Sequence, residues 1–247
     1  NGMSIASNEQ FDVFACNKTS PNQLQIFYRN KNSTNWQSKT IESQTSYNYS
    51  SYCYGPMCGI MYGQGYFVIP FVNQSDYQIY IFYAKNPNDE WIKKQIINTS
   101  YSNPYIYFTS FVNDYFVIGG YEYISGSYYH PHIWFAKLPT DNWQKYHFSI
   151  SSTSHNGLCS GVAFGKGMWS FIVYNNNESQ IYSFYGNSIN SPSSSTCIGS
   201  YQSNYYPTYQ FGNDTFVFIH HQTIYCSPSA SGPFASIPLP SSLQPGY

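Results

Sequence analysis

Two histidine pairs offer the first candidates for chemistry in this sequence, His130 and His132 in Tyr-His-Pro-His and His220 and His221 in Ile-His-His. Imidazoles this close can converge on one ion or carry a proton near neutral pH. No Cys and no clear carboxylate beside them completes a ligand set, so the expectation is exposed loop histidines and no metal. Asp76 and Glu122 are the carboxylates to consider for acid, base or nucleophile roles in glycoside cleavage, which needs two such groups flanking one bond. Tyrosines supply a different chemistry, because the ring stacks on a sugar while the hydroxyl hydrogen-bonds. Tyr52, Tyr54, Tyr101, Tyr105, Tyr205 and Tyr206 fall in segments expected to be loops. The candidate ligand-binding set is therefore Tyr54, Tyr101, Tyr105, Tyr205, Tyr206, Asp76, Glu122, His130, His132 and His220, with no catalytic residue assigned and no cofactor expected.

The composition says what must position these residues. Charged residues are 9% of the chain and aromatics 21%, with 28 Tyr and 18 Phe. Such a chain lacks the Glu, Lys and Arg of exposed helices and is rich in residues that favour strands and polar turns. Its aromatic content is enough for a packed core, which argues against disorder. The formal net charge is −1 and Arg29 is the sole arginine, so no basic stripe exists to neutralise phosphates and nucleic acid is excluded as a partner. No apolar run approaches the roughly 20 residues that span a bilayer. Any secretory leader is expected to have been removed or to lie outside these residues.

Two features favour an extracellular, secreted or cell- or virion-surface location. Asn-X-Ser/Thr sequons occur at Asn17, Asn32, Asn48, Asn73, Asn98, Asn177 and Asn213. The six cysteines are Cys16, Cys53, Cys58, Cys159, Cys197 and Cys226, without a CxxC pair or metal-like spacing, and disulfides fit them better than zinc. The pairing expected is Cys16 with Cys226, Cys53 with Cys58, and Cys159 with Cys197. The first of these would clasp the two ends of the chain.

One phrase recurs through the sequence. "YGQGYFVI" at Tyr62–Ile69 returns as "VNDYFVI" and "GNDTFVF", and alignment makes Phe11, Tyr66, Tyr115, Met168 and Thr215 equivalent. Each copy, roughly 50 residues long, reads as a short apolar strand, a Gly or Asn-Asp turn, two longer aromatic strands and a last short strand. Such sheets cannot bury both faces alone and pack around an axis. The fold class is all-β, a five-bladed β-propeller with four antiparallel strands per blade. Blades are placed at about 3–43, 58–99, 107–152, 159–200 and 207–240 of a single domain, with a tail at 241–247. Asn113-Asp114 and Asn213-Asp214 are read as turn residues, without a catalytic role.

The turn before the last strand also repeats, as "RNKNSTNW", "AKNPNDEW" and "AKLPTDNW", making Trp36, Trp91 and Trp143 equivalent. These turns resemble the Asp-box (BNR) repeat of sialidase-type propellers, Ser-x-Asp-x-Gly-x-x-Trp, over three of the five blades. The Trp matches; the motif's Gly is missing, and Asp89 and Asp141 stand closer to the Trp than the motif's Asp. The resemblance implies a propeller. It does not imply sialidase activity, because the family binds its substrate carboxylate with three arginines and Arg29 is alone. The inner strands also lack the carboxylates that five-bladed glycosidases place at the axis.

The function expected is that of a non-catalytic, glycosylated, disulfide-bonded surface propeller serving adhesion, carbohydrate binding or assembly. Its partner would be a glycan or a surface protein. The alternatives are a divergent glycoside hydrolase or lyase using Asp76, Glu122 or the histidines, and a structural subunit that forms a homo-oligomer, an extracellular filament or part of a virion.

Overall fold

The computed structural model describes residues 4–19, 22–43, 59–73, 76–97, 104–124, 128–150, 156–200, 208–220 and 222–239. Blade one comprises Ser4–Ser7 (β1), Phe11–Thr19 (β2), Asn22–Asn30 (β3) and Gln37–Ser43 (β4). Blade two comprises Met61–Gly63 (β5), Tyr66–Asn73 (β6), Gln78–Ala84 (β7) and Ile92–Ile97 (β8). Blade three comprises Pro104–Val112 (β9), Tyr115–Ile124 (β10), Tyr128–Ala136 (β11) and Gln144–His147 (β12). Blade four comprises Gly157–Gly165 (β13), Met168–Asn175 (β14), Gln180–Gly186 (β15) and Ser194–Ser200 (β16). Blade five comprises Thr208–Gly212 (β17), Thr215–His220 (β18), Thr223–Ser227 (β19) and Ala235–Pro238 (β20). In every blade the strands are hydrogen-bonded in sequence order and antiparallel, which makes the chain a five-bladed propeller; among the described residues no strand is exchanged between its first and last blades.

The repeated phrase builds the inner hairpin. At Gln64-Gly65, Asn113-Asp114, Lys166-Gly167 and Asn213-Asp214 both turn residues have positive φ, from 46° to 78°. That is the two-residue turn whose twist matches the flanking strands, and it explains why Asn, Asp and Gly recur there. Blade one does it differently: the Asn8 side chain accepts from the backbone N–H of Gln10 and of Phe11.

Period-two alternation then gives each blade two apolar faces, and neighbouring blades share them. Val13, Ile26, Phe67, Phe82 and Trp91 fill the joint between blades one and two. Val68, Ile81, Ile118, Trp134 and Trp143 fill the next. Ile133, Phe148, Phe171 and Phe184 lie between blades three and four, and Ile172, Tyr209, Phe216 and Phe218 between four and five. No equivalent core joins blade five to blade one among the described residues.

The joints also carry a polar clamp. Lys39 on β4 donates to the carbonyls of Asn88 and Asp89 in the Trp turn of blade two, at 3.0 and 2.6 Å. Lys94, the equivalent residue on β8, donates to Pro139, Thr140 and Asp141 of blade three at 3.3, 2.8 and 2.6 Å. Tyr146 on β12 does the same to Pro192 of blade four. Within the turns, Asp89 and Asp141 accept from the backbone N–H of Asn86 and Leu138, and the Trp91 and Trp143 indoles donate to Pro87 and Pro139. Lys94→Met removes a cation from three carbonyls and is expected to lower the unfolding free energy by about 2 kcal/mol, measured by urea titration.

The structure corrects the cysteine pairing. Cys159 pairs laterally with Val173, Val173 with Tyr182, and Tyr182 with Cys197, so three strand spacings separate the two thiols. That is about 14 Å, twice the reach of a disulfide. Cys16, on β2, and Cys226, on β19, are likewise free thiols, and the expected clasp is not formed. Cys53 and Cys58 lie outside the described residues.

Candidate functional site

Two of the inner strands are bulged at the same place. On β9 the pairing with β10 slips between Gly119 and Gly120, leaving Tyr107 as the extra residue, and on β13 it slips between Cys159 and Gly161, leaving Ser160. A bulge re-aims a side chain out of the ladder. Tyr107 turns to pack against the core of blades four and five, while the Ser160 hydroxyl donates to the carbonyl of Ile172. Gly120 is required opposite the first bulge, since a Cβ there would stand 1.8 Å from the Tyr105 carbonyl oxygen.

Beside these bulges lies a cavity of about 220 Å³ between the innermost strands of blades three, four and five. Phe108, Phe111, Phe164, Tyr209 and Phe211 give it aromatic walls, and Ser110 and Gln210 give it polar groups. Tyr209 is fixed by its hydroxyl, which donates to Ser170 Oγ at 2.6 Å, and Ser170 in turn meets Ser183 at 2.7 Å. Burial pushes the Tyr209 phenol pKa up, so it stays a neutral donor. At the end of blade three away from the inner hairpin, Tyr105 stacks on Tyr121 at 4.7 Å, and Tyr121 also meets Tyr107 and Tyr129. A wider polar cleft of about 720 Å³ opens at the hairpin ends of blades one and two, lined by Glu9, Lys31, Tyr62 and Lys85 among others.

The titratable residues gather elsewhere, on the face of blade three that looks toward blade two. Glu122 on β10 lies opposite His130 on β11, and His132 lies opposite His147 on β12. The Lys145 ammonium sits 2.7 Å from Glu122 Oε2, and Glu122 is fully buried. His132 donates from Nδ1 to the His130 carbonyl at 2.8 Å, and His130 Nδ1 stands 3.2 Å from His147 Nε2. Burial raises the Glu122 pKa against the opposing pull of Lys145. Burial, Lys145 and His147 hold the His132 pKa well below the ordinary imidazole value. Glu122 Oε1 has no hydrogen-bond partner among the described residues. Among those residues no three His, Cys, Asp or Glu side chains are placed to hold a metal ion.

These positions correct the expectation of exposed loop histidines. The hairpin of β10 and β11 is long enough to carry Glu122, His130 and His132 as strand residues, and His132 is buried. His220 is also a buried strand residue, bonded to the Tyr174 hydroxyl at 3.1 Å. Tyr105 belongs to β9, not to a loop. Asp76 stands apart in the turn before β7, where it accepts from the Gln78 backbone and from the Tyr80 hydroxyl. Tyr54, Tyr101, Tyr205 and Tyr206 lie outside the described residues, as do Tyr52 and His221. The reading of the sequence missed Lys145 and His147. The signal was the alternation of Lys-x-His against His-x-His, which puts every one of these groups on a single face of the sheet.

Because His132 is neutral in the fold and titrates normally once unfolded, the native state binds fewer protons below about pH 6.5. Its contribution is present above that pH and is lost as pH falls, by up to about 1.4 kcal/mol per unit. Glu122 acts in the opposite sense, gaining stability as pH falls through its raised pKa. His132→Asn is expected to flatten the loss between neutral pH and about pH 5.5, read as urea midpoints across pH.

No family model matches the chain, and no curated protein matches it in sequence. Its likeness is to solved structures. It superposes on a prolyl endopeptidase with a TM-score of 0.55 and 9% identity, over 98% of this chain and 35% of that one. For an α-L-arabinofuranosidase from Fusarium graminearum the values are 0.56 and 8%, over 96% and 82%. For a sialidase from Trypanosoma rangeli they are 0.56 and 9%, over 92% and 46%. The chain thus spans about a third of the endopeptidase it matches and most of the arabinofuranosidase. At these identities the likeness shows the propeller fold alone. Among the described residues no helix is long and apolar enough to cross a membrane.

Proposed function

We propose that this chain is a carbohydrate-binding propeller of an extracellular surface, which holds one sugar ring in the cavity between blades three, four and five without cleaving it. The observation that carries the reading is the lining of that cavity: aromatic faces to stack on a ring, with the Ser110 hydroxyl and the Gln210 amide to meet its hydroxyls. Its volume of about 220 Å³ is below that of sites for drug-sized ligands, which fits a single ring. Two of these enzymes of like fold act on sugars by name, which agrees with this reading without carrying it.

Binding is favoured over turnover by where the carboxylates stand. Cleavage needs two of them flanking one bond. Asp76 organises an exposed turn in blade two, Glu122 is neutralised by Lys145 in a joint of blade three, and neither lines the cavity. Surface placement rests on the sequons. Asn32 and Asn213 are exposed at the hairpin ends of the blades and Asn177 at the opposite ends, all open to glycans, whereas Asn73 is buried.

A glycan array tests the proposal. Binding is expected to fall at least tenfold in Ser110→Trp, which fills the cavity, with the ligand recovered uncleaved from the wild-type chain. Binding unchanged by Ser110→Trp, in a protein whose circular dichroism is unaltered, refutes the site. Release of a shortened glycan refutes the non-catalytic role.

A further inference from the structure

Among the described residues, blade one and blade five each present a face that no other blade covers, and the two faces are the separate halves of the joint that the other blades make. Trp91 and Trp143 are 8% and 6% exposed because the preceding blade covers them, while the equivalent Trp36 is 42% exposed. Around Trp36 lie Phe14 and Phe27, stacked at 5.2 Å, and Ile5, which is 64% exposed. On blade five, Val217, Ile219, Ile224 and Ile237 occupy the face directed away from blade four, with Ile237 50% exposed. Ile237 stands at the register of the clamp residues Lys39, Lys94 and Tyr146. Gly212 gives an independent sign: a Cβ at its equivalents Gly63 and Gly165 would strike Phe111 and Phe211 of the following blade, but at Gly212 it meets nothing within 4 Å.

We propose that a second copy of this chain docks here, its blade five seating on blade one of the first, with Ile219 and Ile237 covering Trp36, Phe14 and Ile5. Such a contact continues, between copies, the joint that successive blades make within one chain. Two joints within the chain already set an aromatic face carrying the turn Trp of one blade against a largely aliphatic face of the preceding blade, and the two exposed faces reproduce that pair. The faces differ from each other, so the contact is head-to-tail and each copy keeps one half free for the next, which gives an open array.

Sedimentation velocity of the whole chain tests this. Mass is expected to rise in steps across micromolar concentrations. Ile219→Glu/Ile237→Glu and Ile5→Glu/Trp36→Glu are each expected to give monomers, and these exposed positions leave the fold intact by circular dichroism. Mixing the two variants supplies one good copy of each half, so a one-to-one complex forms and grows no further. The proposal is overturned by a wild-type chain that stays monomeric, by assembly that survives both variants, or by a mixture that fails to associate. None of these outcomes depends on glycan binding.

Discussion

In urea titration, Phe148→Ala loses about 4 kcal/mol of unfolding free energy. Phe148 is fully buried where blades three and four meet, with ring centroids 5.3 Å from Phe171, 5.3 Å from Phe184 and 5.1 Å from Tyr146. Its backbone N–H donates to the Pro131 carbonyl, which ties the segment after β12 in place over the joint. The loss therefore combines the transfer of a large ring to water with an unrepaired cavity between two sheets. A cost below about 1.5 kcal/mol, the range for swaps that conserve volume, would mean that the sheets close over the hole and that the joint is far softer than its ring packing implies.

Lys145→Met is expected to cost about 3 kcal/mol, since it leaves the buried Glu122 carboxylate without its cation. The same substitution combined with Glu122→Gln should recover most of that loss, because the uncompensated charge is gone. Glu122 in Lys145→Met takes a proton in the folded state at a higher pH than when unfolded. Stability of that variant should therefore rise as pH is lowered from neutral toward the ordinary carboxylate range. Additive single and double variants, or a cost within the range of about 0–1 kcal/mol usual for exposed pairs, would remove Glu122–Lys145 as a buried ion pair.

Blade architecture was legible in the sequence because each hairpin is specified locally. Asn113-Asp114 and Asn213-Asp214 adopt the positive φ that their residue types favour, and the Val, Ile and Phe that follow alternate between two blade faces. Trp36, Trp91 and Trp143 marked a repeated turn, but their differing burial depends on what precedes each blade, which no local pattern records. The Glu122 cluster was hidden for a related reason. Whether Glu122, His130 and His132 extend a hairpin or leave it as a loop is decided by contacts such as that of Tyr129 with Asn156 at the start of blade four and by the slip at Tyr107, not by their own propensities. Cys159 and Cys197 were read as partners by elimination, while their separation follows from lateral register alone.

Each sheet is drawn from one unbroken stretch of chain, and among the described residues the first and last share no strand. A nascent chain emerging from the ribosome can therefore finish one sheet before the next is made, closing only short loops as it goes. Every new sheet lands on a finished template, and none of the described sheets waits for a strand from a distant part of the chain.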